Sequence, residues 1–183
     1  DVSYERAQVL RYGENPHQRA AYYRPPSAGR ASRFSFEQLH GKELSYNNLL
    51  DFEAAVDVIR EFRDPAACVV KHNNPCGISE DKNLNQALSQ ALDGDLLSAF
   101  GGIVAANRAC DEAAAQIVLD KLSFFELMIA PAFTERALEL LKAKKNLRVL
   151  KVLNPEGVCP YELRFLRSGL LVQDRDRPIP EHE

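Results

Sequence analysis

The apolar run Ala66-Ala67-Cys68-Val69-Val70 passes directly into Lys71-His72-Asn73-Asn74-Pro75-Cys76-Gly77. Its length and β-branched residues are those of a buried strand. Pro75 and Gly77 are expected to stop regular structure there. A lysine and a histidine therefore stand where a buried strand runs out into a loop. In open α/β sheets that edge, outside the carboxyl ends of the strands, is where ligands bind. A Lys-His pair in a loop is also compatible with two side chains facing water, and the Asn-rich turn narrows that alternative without removing it.

The rest of the chain alternates around this strand. Ala20 to Tyr23 reads as a short strand. Residues Leu50, Ala54, Val58 and Phe62, with Ala55 and Ile59 beside them, recur at helical spacing, and Asp51 and Glu53 occupy the first turns, where the helix dipole favours carboxylates. Ser45-Tyr46-Asn47-Asn48 reads as the entry to that helix. A second helix is predicted over 84–92 and a strand over 103–106. A third helix is capped by Asp111, a strand follows over 124–130 with Glu126 inside it, and a fourth helix is capped by Thr134. A last strand covers 147–153. This alternation predicts an α/β sandwich, layered, with a mostly parallel central sheet and the 66–70 strand at its centre.

A length of 183 residues suits one domain with a real core. Residues 1–153 are read as that domain, with 1–48 as an N-terminal region of loops. Residues 154–183 are read as a C-terminal segment and linker, with a turn at Asn154-Pro155-Glu156-Gly157 and one more apolar segment at Gly169–Gln173. Pro25 to Ser35 is expected to be an exposed loop. The opening on Asp1 rather than Met reads as a processed or excised piece. The net charge of −3 argues against a general nucleic-acid binder. No apolar run approaches the ~18 residues of a membrane span, and no signal peptide is expected. The four cysteines form no C-x-x-C pair, so zinc spacing is absent and a reducing, cytoplasmic compartment is the simplest setting.

Two further stretches carry candidate binding groups. Arg11-Tyr12-Gly13-Glu14-Asn15-Pro16-His17-Gln18 is a loop that sets a cation beside an aromatic ring, able to clamp an anion and stack a flat ring, or equally an irregular, solvated arm. Ser98-Ala99-Phe100-Gly101-Gly102 precedes a strand, and its adjacent glycines imply close approach of backbone to a ligand or to another element. Glu126, inside a predicted buried strand, must be paired or functional.

Together these stretches carry a resemblance. Arg11–Gln18, Gly41-Lys42-Glu43-Leu44-Ser45-Tyr46-Asn47-Asn48, Lys71–Gly77 and Ser98–Gly102 occur in that order, followed by Ile129-Ala130-Pro131 and Ala143-Lys144-Lys145-Asn146. In this order they closely resemble the transformylase part of the bifunctional purine-biosynthesis enzymes, which join phosphoribosylaminoimidazolecarboxamide (AICAR) formyltransferase to inosine monophosphate cyclohydrolase. The resemblance implies a cytidine-deaminase-like fold for this segment. It covers the first of two similar transformylase halves, without the cyclohydrolase domain or the second half. It also implies a homodimer, because the family's transformylase site forms between subunits. Deaminases of that fold use an H-x-E and P-C-x-x-C zinc site. Pro75-Cys76-Gly77 has no second cysteine and no H-x-E precedes it, so a zinc deaminase fails on ligand count and no metal is expected.

The reaction implied is transfer of a formyl group from 10-formyltetrahydrofolate to the 5-amino group of AICAR. The resemblance makes Lys71 and His72 the catalytic pair: His72 as the base for the amine proton, Lys71 as the cation that keeps His72 neutral and stabilises the oxyanion. Arg11 and Tyr12 would hold the nucleotide, Asn48 would bond to it, and Phe100, Gly101 and Glu126 would border the site. Glu126 is one methylene longer than the aspartate the family pattern suggests. Consecutive side chains of a strand point to opposite faces, so Lys71 and His72 act together only if the chain turns, and Asn73-Asn74-Pro75 offers a turn. The alternative is a nucleotide-binding or assembly module with the same fold and no catalysis of its own.

Overall fold

The computed structural model describes residues 3–24, 36–153 and 161–175. Within them lie β1 (Glu5–Leu10), β2 (Ala20–Arg24), β3 (Phe36–His40), α1 (Tyr46–Arg60), β4 (Ala66–Lys71), β5 (Asn74–Glu80), α2 (Leu84–Asp93), α3 (Leu96–Ala99), β6 (Ile103–Ala106), α4 (Glu112–Lys121), β7 (Leu127–Ala130), α5 (Glu135–Lys142), β8 (Arg148–Val152), β9 (Tyr161–Leu166) and β10 (Gly169–Asp174). The loop expected over 25–35 and the turn at 154–157 fall outside the described residues.

A six-stranded sheet in the order β3-β8-β7-β6-β4-β5 forms the middle layer. Strands β6, β7 and β8 are mutually parallel, while β4 pairs antiparallel with both β6 and β5, and β3 antiparallel with β8. Strands β5 to β8 thus run one way and β3 and β4 the other. The 66–70 strand is interior, although one strand from the edge rather than at the centre. Alternation along it divides the core. Ala67 and Val69 join α2, α4 and α5 in one cluster through Leu88, Leu92, Val118 and Leu141. Cys68 and Val70 join α1 in the other through Phe52, Ala55, Val56 and Ile59. All five residues of the run are fully buried. The architecture is an α/β sandwich with α1 on one face and α2, α4 and α5, joined by Ala99 of the short α3, on the other.

The caps follow the sequence closely. Ser45, Asn83, Asp111 and Thr134 each accept a hydrogen bond from the backbone N–H three residues on, so each helix start is fixed by a local side chain. In α1 the buried stripe is rotated from the predicted one: Phe52, Ala55, Val56 and Ile59 are buried, Ala54 and Val58 pack at its border, and Leu50 is exposed.

The expectation that Pro75 and Gly77 end regular structure is corrected. Asn74–Glu80 is a strand, β5, which forms a hairpin with β4. Two features admit those residues. β5 is an edge strand, where a missing N–H costs no ladder bond, and the register slips at this point, pairing Val69 with Gly77 and Val70 with Pro75. Gly77 is required for packing, since a Cβ there would lie 1.9 Å from the Ala91 carbonyl oxygen of α2. Glu126 lies just ahead of β7, not inside it. Beyond the sheet, β1 and β2 form one antiparallel hairpin and β9 and β10 another. The second was expected only as a short apolar segment. The 174–183 tail, read as linker, begins instead with Arg175 paired to Asp57 of α1, and residues 176–183 lie outside the described ones.

Candidate active site

The site begins with a tight turn. Lys71 and Asn74 pair across the β4–β5 hairpin, so His72 and Asn73 are its two turn residues, with φ of 53° and 62°. Both lie in the left-handed region, as a two-residue hairpin of the type that matches strand twist demands, and glycine usually fills such places. The turn therefore falls at His72-Asn73, one step earlier than Asn73-Asn74-Pro75. Its backbone is held from two sides. Asp51 of α1 accepts from the Asn73 N–H at 2.7 Å, and the Asn74 side chain donates to the His72 carbonyl at 2.8 Å. Lys71 is directed elsewhere, its ammonium donating to the Phe100 carbonyl at 2.8 Å.

This hairpin forms part of the wall of a cavity of about 540 Å³. The antiparallel run of β4 decides where the cavity lies. Val70 pairs with Ile103, Ile103 with Leu127, and Leu127 with Arg148, so the carboxyl end of β4 meets the amino ends of β6, β7 and β8. The expected placement outside the carboxyl ends of a parallel sheet is thus corrected. The chain entering each of those strands forms the wall: Gly101 before β6, Phe124 and Glu126 before β7, and Lys144 to Leu147 before β8. The N-terminus of α1 also faces it, through Ser45, Asn47, Asn48 and Asp51.

Of the residues the sequence singled out, Lys71, His72, Tyr12, Asn48, Gly101 and Glu126 all line this cavity. Arg11 and Phe100 do not. Arg11 stacks its guanidinium on the Tyr12 ring, 5.6 Å from the centroid. Phe100 supplies its carbonyl to Lys71, while its exposed ring packs against Phe124 with centroids 5.4 Å apart. The close backbone approach expected at Gly101-Gly102 is made to protein: the Gly101 N–H donates to the Phe124 carbonyl at 3.0 Å.

The motif around Tyr12 has a local cause. The Gly13 N–H donates to the Gln18 carbonyl at 2.8 Å, and the Asn15 N–H to the Gln18 side chain at 2.7 Å, so the loop closes on itself and leaves Tyr12 at the cavity. The Gly41-Lys42 motif is equally constrained. Gly41 has φ of 96°, and a Cβ there would lie 2.1 Å from the Leu147 carbonyl oxygen. Only glycine lets this loop press against the 144–148 segment and bring Lys42 to the cavity.

Asn48 is the one buried polar residue among the described ones, with 3% of its surface exposed. Its side-chain oxygen accepts from the Ser45 N–H at 3.1 Å and its amide donates to Glu126 at 2.8 Å. It thus completes the helix-capping box and fixes the Glu126 carboxylate. Glu126 also meets the Arg148 guanidinium at 3.4 Å, while Arg148 Nε donates to the Glu43 carbonyl at 2.9 Å. Burial lowers the pKa of Arg148, and the neighbouring Glu126 carboxylate and Tyr12 hydroxyl work against that. Asp51 has its pKa raised by burial, partly offset by the Asn73 N–H and by His72.

Sequence reasoning did not single out Arg148 or Asp51 as site residues. Arg148 opens a predicted strand and Asp51 sits in a predicted helix turn, and nothing in their spacing joins them to Lys71-His72. The surplus of cations at the cavity, with Lys42, Lys71, Lys145 and Arg148 against Asp51 and Glu126, suits an anionic ligand. Among the described residues no group of three His, Cys, Asp or Glu side chains comes together as metal ligands. No helix among them is long and apolar enough to cross a membrane.

The family model of the AICARFT/IMPCHase bienzyme matches residues 1–183. Bifunctional purine biosynthesis protein PurH of Bacillus cereus (strain B4264) is 47% identical over 176 residues, covering 96% of this chain and 34% of the relative. The PurH protein of Halalkalibacterium halodurans is 46% identical over the same length and coverage. The chain thus spans about a third of the length of the curated relatives it matches. A solved structure, a putative formate dehydrogenase accessory protein from Desulfotalea psychrophila, superposes with a TM-score of 0.45 at 10% identity, covering 86% of this chain and 99% of that one. That likeness is too loose to bear on fold or function.

Proposed function

Because the chain belongs to the AICARFT/IMPCHase bienzyme family, we propose that it contributes the Lys71-His72 part of an AICAR formyltransferase site. The reaction moves a formyl group from 10-formyltetrahydrofolate to the 5-amino group of AICAR. The observation that carries this reading is the convergence of Lys71, His72, Tyr12, Asn48, Gly101 and Glu126, drawn from widely separated motifs, on one cation-rich cavity.

The chemistry follows from those groups. The amine of AICAR is a weak nucleophile, since its lone pair is delocalised into the imidazole ring. As its nitrogen bonds to the formyl carbon, His72 takes the amine proton. The carbonyl oxygen becomes an oxyanion, which the Lys71 ammonium stabilises. Lys71 has three donors and spends one on the Phe100 carbonyl, leaving two for substrate. Collapse of the tetrahedral species expels the folate nitrogen, which takes up a proton, and leaves the formyl group on AICAR. Arg11 and Tyr12 serve the nucleotide, the stack of one on the other presenting a cation and a ring together. Asn48 acts through Glu126, because its amide is already committed to Glu126 and to the capping box.

The wider assignments rest on the same family membership. The described sandwich belongs to the cytidine-deaminase-like first half of a transformylase. That half is assigned to residues 1–153, and the segment from 154 leads toward the second half. The complete enzyme is a cytoplasmic homodimer that needs no metal, with AICAR and the folate as its small-molecule partners.

The test is formyl transfer by a full-length family enzyme carrying this sequence, compared with its His72→Ala variant. The variant is expected to lose about 10²–10⁴-fold in kcat with the fold and much of the nucleotide affinity retained. Near-normal turnover would assign His72 to the binding wall instead, whereas no turnover by the unsubstituted full-length enzyme would favour a non-catalytic module.

A further inference from the structure

We infer that Asp51 is a positioning residue for His72: it holds the His72-Asn73 turn in its left-handed conformation and so fixes where the imidazole stands at the cavity. This inference rests on the proposed formyl transfer for its kinetic arm only.

Three observations carry it. First, two successive non-glycine residues have positive φ, 53° and 62°. That conformation is strained for a residue with a Cβ and persists only where the surroundings impose it. Second, the imposing contact is identifiable. Asp51 Oδ1 accepts from the Asn73 N–H at 2.7 Å, and the His72 N–H faces the same carboxylate. Asp51 comes from α1, a separate element rooted in the core by Phe52 and Ala55 on either side of the Glu53–Ala54 pair. The turn is therefore tied to the rigid body of the domain and not only to its own hairpin. Third, Asp51 is half-buried and interacts electrostatically with His72.

The other titratable groups that share the cavity with His72 are Glu126 ahead of β7, Tyr12 and Lys42 from the N-terminal loops, and Lys144, Lys145 and Arg148 around the start of β8. Lys144 is tied to the Ser123 carbonyl at 2.7 Å and Arg148 to Glu126, while Glu126 acts on Asp51 itself. Among the described residues, Asp51 is the carboxylate that both binds the turn backbone and acts on the ring.

The experiment uses a full-length family enzyme carrying this sequence, with Asp51→Asn and Asp51→Ala, read by amide exchange at Asn73 and by steady-state kinetics. Asp51→Asn keeps an acceptor oxygen for the Asn73 N–H and is expected to leave Asn73 protected and to turn over faster than Asp51→Ala. Asp51→Ala removes the acceptor. It is expected to speed Asn73 exchange at least about tenfold and to lower kcat about 10-fold or more with KM little changed. Unchanged Asn73 exchange in Asp51→Ala, or an equal loss of kcat in both variants, would overturn the inference. If the wild-type enzyme transfers no formyl group, the proposed function fails, and the exchange readout still decides the role of Asp51.

Discussion

The Lys71 ammonium and the Phe100 carbonyl lie 2.8 Å apart, joining the end of β4 to the loop that enters β6. The bond anchors the lysine at the cavity, whose lining also includes Gly101 and Ile103. A strand alone would send Lys71 and His72 to opposite faces. The turn at His72 and the anchor on Phe100 instead leave both at one cavity.

This bond makes the lysine hard to replace. Lys71→Ala in the complete enzyme is expected to lower kcat by about 10²-fold or more, with far-ultraviolet circular dichroism unchanged. Lys71→Arg keeps the charge but replaces a compact ammonium with a planar fork, so little activity should return. Recovery of most wild-type turnover in the arginine variant would show that only net charge matters at this position.

Asn48 and Glu126 predict a separation of stability from chemistry. Asn48→Ala keeps the Ser45 cap but removes the side-chain half of the capping box, the bond from the Ser45 N–H, and leaves the Glu126 carboxylate short of a donor. Loss of these two hydrogen bonds, one of them to a charged group, costs about 2–3 kcal/mol. Glu126→Gln keeps the size of the side chain, leaves Arg148 without its carboxylate and should mainly alter substrate affinity. Urea denaturation and steady-state kinetics on both variants check this. The expected pattern is a lower midpoint for Asn48→Ala and a raised KM for Glu126→Gln.

The β9–β10 hairpin bears on assembly. Phe165, Leu170 and Val172, which share one face of it, are 81%, 47% and 54% exposed, and an isolated two-stranded hairpin is marginal in water. In the proposed homodimer a second copy covers this face. Sedimentation of the complete enzyme should show a dimer or larger species, and Phe165→Glu with Val172→Lys should weaken it at least about tenfold in dissociation constant. A wild-type protein that stays monomeric across a wide concentration range would contradict the homodimer.

Much of this organisation is legible in the residues. The buried run at 66–70, the helix caps at Ser45, Asp111 and Thr134, and the alternation that builds the sandwich are local features, and local sequence determines them. The misreadings concern properties that depend on neighbours. Pro75 and Gly77 look like breakers, yet an edge position and a register slip admit them to β5. The direction of β4 relative to β6 is a pairing choice that no periodicity encodes, and it moves the site to the amino ends of the parallel strands. Arg148 and Asp51 carry no motif of their own. Their importance comes from Glu126 and His72, which lie far off in sequence and near in space.

Asp51 also gives a pH dependence whose sign is fixed. Burial raises its pKa in the folded state above the ordinary carboxylate value, more than the Asn73 N–H and His72 lower it. A group with a raised folded pKa contributes its full stability below the unfolded value, about 3.9 for aspartate, and loses it as pH rises through the folded value. Above the folded value wild-type Asp51 is ionised and that contribution is gone. Asparagine resembles the protonated acid in shape and keeps an acceptor for Asn73, while never ionising. Asp51→Asn should therefore be more stable than wild type at pH 7, and the difference should shrink toward zero as pH falls below the carboxylate range. Paired urea titrations at pH 7 and pH 3 measure it. A variant less stable than wild type by the same margin at both pH values would mean that the Asn73 hydrogen bond, and not the burial of charge, dominates at this carboxylate.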